Sequence, residues 1–106
     1  MGEWVDVAPT NDFPPSTSRR VEIDDVTVAV FNLDGEFYAI EDVCTHDYSP
    51  LEGGNVEGGE IICPRHGARF DIKTGEALSA PAYEPLPTFP VRVENGLVQV
   101  RDGRWD

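Results

Sequence analysis

The sequence predicts an all-β fold, a small antiparallel sandwich or barrel. Three observations carry that prediction. Short apolar runs rich in Val, Ile, Phe and Tyr recur along the chain, several of them alternating with polar residues. Turn signals built on Gly, Asn and Asp separate these runs. Ten Gly and nine Pro interrupt every window long enough for a helix.

The elements follow in order. Residues 20–23 alternate, and Val26, Val28 and Val30 stand at period two, so both runs read as strands. Residues 33–36 (Leu, Asp, Gly, Glu) form a hairpin turn into a strand over 37–40. Gly58 and Gly59 precede a short buried strand over 60–63. Residues 70–72 and 76–78 flank a turn of Lys73, Thr74 and Gly75. Residues 90–93 and 97–100 flank Asn95 and Gly96, a type I′ hairpin signal. Residues 81–90 hold four prolines, so an ordered surface loop is expected there and neither a central strand nor a helix. Phe31, Phe37, Tyr38 and Phe89 are assigned to the core, and Trp4 and Trp105 to edge packing. Two stretches fit no strand, 43–55 and 63–69. They contain both cysteines and both histidines of the protein.

Composition narrows the function classes. With 106 residues the chain has the size of one domain. Hydrophobic residues make up 40%, a lean supply for a core, and a domain this small commonly gains stability from a metal. The formal charge of −12 is the wrong sign for nucleic acid or for an anionic membrane. No apolar run approaches the roughly 18 residues of a membrane span. Residues 1–12 are polar and acidic without a signal-peptide core, so the expected compartment is the cytoplasm. There a disulfide between the two cysteines would not persist, which points them toward metal, catalysis or burial.

The pattern is Cys44, Thr45, His46, then sixteen residues, then Cys63, Pro64, Arg65, His66. Each loop offers one sulfur and one nitrogen. The spacer is long enough to run up one strand and return to the same end of a β domain. A structural zinc uses the same four side chains, but zinc modules usually pair Cys with Cys and His with His. A mononuclear iron or copper site would need an open position that the pattern does not offer. A two-iron cluster accommodates the mixed pairs, with one iron on the two sulfurs and the other on the two nitrogens.

At these boxes the chain resembles the Rieske [2Fe–2S] proteins, and most of all the stand-alone ferredoxins of bacterial oxygenase systems. Ser49, Pro50 and Leu51 after the first box, Gly67 to Phe70 after the second, and the proline loop starting near Pro81 extend the likeness. The resemblance implies a single Rieske-type domain over 1–106, with a cluster-binding subdomain at one end, about 43–82. It implies one [2Fe–2S] cluster held by Cys44, His46, Cys63 and His66. Leu51 and Pro81 would exclude water, Gly67 would let the backbone pass close, and Ala68 and Phe70 would adjoin the cluster. Gly53 and Gly54 would help the first loop turn. Tyr48 and Arg65 would meet partners, on a tip that Arg65 and Arg69 make less acidic than the body.

Two thiolates in place of four leave such a cluster less negative and easier to reduce. High-potential respiratory relatives carry a disulfide at the places of Ser49 and Arg65 and hydroxyls at those of Ala68 and Phe70. Their replacement here implies a low-potential carrier. The expected function is single-electron shuttling from a flavin-dependent reductase to a terminal non-haem iron oxygenase, by a monomer with no substrate chemistry of its own. Alternatives are the small subunit of an assimilatory nitrite reductase, a carrier in another pathway, and a structural zinc module.

Overall fold

Four tight turns set most of the strand register in the computed structural model, which describes residues 3–44, 50–51, 54–65, 67–80 and 82–103. Strands β2 (Ser18–Ile23) and β3 (Val26–Leu33) meet at Asp24 and Asp25. Strands β3 and β4 (Glu36–Glu41) meet at Asp34 and Gly35. Strands β5 (Val56–Glu57) and β6 (Glu60–Ile62) meet at Gly58 and Gly59. Strands β9 (Val91–Glu94) and β10 (Leu97–Val100) meet at Asn95 and Gly96. Both central residues of all four turns have positive φ, between 49° and 95°. That sign matches the right-handed twist of paired strands, as type I′ turns do. Asp tolerates it better than most side chains, which explains how Asp24 and Asp25 turn the chain without glycine.

The described strands form three antiparallel sheets, ordered β1-β10-β9, β2-β3-β4-β8 and β5-β6-β7. Here β1 spans Val5–Pro9, β7 Arg69–Asp71 and β8 Thr88–Phe89. The four-stranded sheet is covered on both faces. Val28, Val30 and Ala39 point into a core with Phe13, Phe89, Val98 and Val100, against the first sheet. Ala29, Phe31 and Ile40 point into a second core with Leu51, Ile61, Phe70, Ile72 and Leu86, against the third. Strand β3 is therefore buried almost continuously, where period-two valines predicted one apolar face.

The structure corrects three expectations. Strand β1 arises from the polar N-terminus and pairs with β10, Val5 opposite Val100. Residues 76–78 form no strand; only Phe70 and Ala77 make an isolated bridge. The proline-rich segment is more than a surface loop, since Leu86 and Phe89 are buried and β8 pairs with β4 at two positions. Its brevity and edge position accommodate the flanking prolines. Phe31 and Phe89 are core residues as expected, while Phe37 and Tyr38 are half-buried at the margins. Trp4 lies under Arg92, whose guanidinium carbon is 4.3 Å from the ring centroid, and Trp105 is outside the described residues.

Candidate metal centre

Each cysteine stands just beyond the end of a strand. Strand β4 ends at Glu41, the Val43 N–H donates to the Glu41 carbonyl at 2.9 Å, and Cys44 follows. Strand β6 ends at Ile62, and Cys63 is the next residue. Both thiols are free of disulfide, fully buried, and members of one apolar core with Leu51, Ala68, Phe70 and Ala82. The fold thus places in one apolar core the two cysteines that the sequence separates by eighteen residues. Burying two thiols together at loop ends suits a metal group that takes them as thiolates. His46, His66, Tyr48 and Pro81 lie outside the described residues.

Backbone hydrogen bonds shape the second box. The Cys63 N–H donates to the Ala68 carbonyl at 2.7 Å, and the Gly67 N–H donates to the Cys63 carbonyl at 3.0 Å. Gly67 has φ of 76°, the left-handed region that closes such a turn. What the chain shows at Gly67 is therefore a conformational need. Ala68 and Phe70 have no exposed surface, which places both side chains in the core that holds the thiols.

The first box is fastened at its far end. Leu51 is 2% exposed. Its N–H donates to Asp42 Oδ1 at 3.0 Å, and its carbonyl accepts from the Gly54 N–H at 3.0 Å. Gly54 is required by close packing: a Cβ there would lie 2.1 Å from the Ile62 carbonyl oxygen, one residue before Cys63. The segment that follows the first box and the strand that precedes the second are thus packed backbone to backbone. Sequence reasoning assigned Gly54 a turn and missed Asp42 altogether. The available signal for Asp42 was a short carboxylate at a strand-to-loop junction, where Asp commonly caps backbone amides.

Arg65 is exposed. Arg69 differs from expectation. Its guanidinium lies 3.3 Å from Glu60 and 3.7 Å from Glu57, so its charge is largely compensated within the small sheet. No described helix is long and apolar enough to cross a membrane.

Comparison with known proteins agrees with this geometry. The model of the Rieske [2Fe–2S] domain matches residues 3–90. The ferredoxin component of the naphthalene 1,2-dioxygenase/salicylate 5-hydroxylase systems of a Ralstonia species is 37% identical, over 92% of this chain and 94% of its own. The 3-phenylpropionate/cinnamic acid dioxygenase ferredoxin subunit of Escherichia coli K12 is 44% identical, over 83% of each. Among solved structures, a chain from the complex of reduced oxygenase and oxidized ferredoxin in carbazole 1,9a-dioxygenase is 40% identical. It superimposes with a TM-score of 0.86, covering 92% of this chain and 91% of that one. The buried thiol pair, the double box and these likenesses agree: the chain belongs to the Rieske [2Fe–2S] family, a ferredoxin type whose cofactor is a Rieske-type [2Fe–2S] cluster.

Proposed function

We propose that Cys44 and Cys63 hold the inner iron of the cluster and His46 and His66 the outer one, within a cluster-binding part spanning about 43–82 of a single domain. The observation that carries this is the burial of both thiols in one core at the ends of β4 and β6. The bound cluster supplies one-electron redox chemistry. The chain's own residues hold it, keep water from its inner side with Leu51 and Phe70, and close the second loop with Gly67. Pro81, by the family resemblance, would help exclude water from it.

The protein passes single electrons from a flavin-dependent reductase to a terminal oxygenase, and does no substrate chemistry itself. Both named relatives are ferredoxin components of dioxygenase systems, which favours an oxygenase partner over a nitrite reductase. With both histidines used as ligands, the sequence has none left for general-base work. It acts as a cytoplasmic monomer, with Tyr48 and Arg65 beside the point of electron exit.

Metal and sulfide analysis tests the ligand set. Two irons and two acid-labile sulfides per chain are expected, and changing any of the four ligands to Ala or Ser should lose or destabilise the cluster. One zinc without sulfide would overturn the reading. Reduction by a flavin reductase and reoxidation by an oxygenase, followed by the visible spectrum, test the carrier role.

A further inference from the structure

We infer that Asp42, braced by Arg20, is the positioning residue of the first cluster box. It fixes Cys44 and Leu51 relative to each other. This role rests on the cluster reading above.

Asp42 sits two residues before Cys44, and its side chain is 2% exposed. Its N–H donates to the Thr27 carbonyl at 2.8 Å, which ties the residue to β3. Oδ1 accepts the Leu51 N–H at 3.0 Å. One carboxylate therefore joins the start of the box to the residue expected to shield it. Oδ2 accepts Arg20 Nε at 2.6 Å and lies 2.5 Å from Nη2. Arg20 comes from β2, where it stands opposite Ala29 of β3. The brace thus originates in the doubly covered sheet and not in either cluster loop.

Placement explains why a charge is used. A cleft of about 320 Å³ opens between β2 and the first box, walled by Arg20, Asp42, Leu51 and Gly54 among others. Arg20 is partly exposed on the cleft side, and Asp42 is behind it against the core. A hydrogen bond to an ionised, buried acceptor is stronger than one between neutral groups. The Leu51 amide is accordingly held at the boundary between wet cleft and dry core. The carboxylate acts as a fixed tie.

The test measures iron release from the loaded protein. Wild type, Asp42→Ala, Asp42→Asn and Arg20→Met are incubated with excess chelator, and loss of the visible absorption is timed. Urea unfolding of each apo-protein is measured in parallel. Asp42→Ala should lose the cluster about tenfold faster or more. Asp42→Asn keeps an oxygen for the Leu51 N–H and should fall between wild type and Asp42→Ala. Arg20→Met should also speed loss, and the double variant Arg20→Met with Asp42→Ala should be no faster than Asp42→Ala alone, because both changes cut one tie. A purely structural role would change release and apo-protein stability by the same free energy; positioning requires the larger change in release. If Asp42→Ala does not fold, Asp42→Asn and Arg20→Met carry the test. Release at the wild-type rate in a folded variant, or equal free-energy changes in both assays, would overturn the role while leaving the cluster intact. A wild-type protein without iron and sulfide would overturn the cluster reading and this role together.

Discussion

At the scale of single residues, Ala68 and Phe70 set the expected potential. Both are fully buried in the core that holds Cys44 and Cys63, and neither side chain can donate a hydrogen bond. Hydroxyl donors near cluster sulfur would stabilise the reduced, more negative form. Without them the potential should lie near the low end of the Rieske range, about −150 mV. Voltammetry on the wild type and on Ala68→Ser with Phe70→Tyr checks this. A wild-type value well above zero contradicts it, and an unchanged double variant shows that the hydroxyls do not reach the cluster. Tyr38 offers a pH test on the same side of the sheet. Its hydroxyl donates to Glu36 Oε1 at 2.8 Å. That bond, then partial burial and the nearby Glu36 charge, raises its pKa above the usual 10.0. The neutral phenol is the favoured form in the fold. Its contribution is present below the ordinary tyrosine range and fades as pH rises through the raised value. Tyrosinate absorbance should therefore show a late-ionising group that moves earlier in Glu36→Gln and vanishes in Tyr38→Phe.

At the scale of elements, the hairpins were the part most readable from sequence. Asp34 with Gly35, Gly58 with Gly59 and Asn95 with Gly96 adopt the left-handed angles their residue types favour. Local chemistry decided those turns, so local pattern revealed them. Strand β1 was hidden because its partner, β10, lies at the other end of the chain, and pairing of that range leaves no mark in a short window. Strand β8 was hidden by the prolines that flank it. In the centre itself, residue type and spacing singled out Cys44 and Cys63, and the fold buries both. The fastenings were not plain. Asp42 and Gly54 act through contacts with Leu51 and Ile62 that only the folded chain brings about. Gly54→Ala is the sharpest probe of this junction. A methyl group 2.1 Å from the Ile62 carbonyl cannot be accommodated without moving one box from the other. The variant should lose roughly 1–3 kcal/mol of stability, the usual cost of overpacking, and should incorporate less iron. Thermal unfolding and iron content of the purified variant measure both; wild-type values for both would show that the boxes need no close contact.

At the scale of the whole molecule, the net charge gives a testable expectation for encounter. The formal charge of −12 makes a basic partner surface the electrostatically favoured one. Arg69 is engaged by Glu57 and Glu60, so it relieves that field near the second box less than was expected from sequence. Long-range attraction with short-range contact at a small tip favours fast, brief binding. Stopped-flow reduction by the partner reductase should slow steeply as salt rises from low to moderate, because screening shortens from about 30 Å at 0.01 M to about 8 Å at 0.15 M. A rate that does not respond to salt, or rises with it, would leave the acidic surface to solubility alone.

The four-stranded sheet serves two cores at once, and this binds the fate of the redox half to the rest of the chain. Ala29, Phe31 and Ile40 line the core around the cysteines from outside residues 43–82. A peptide cut to that interval would keep every proposed ligand yet lack the wall they rest on. Electron carriage here is not a portable cassette; it depends on loops mounted on a sheet that the remaining strands cover on both faces. Changes to β3 or β4 would therefore reach both halves of the molecule together.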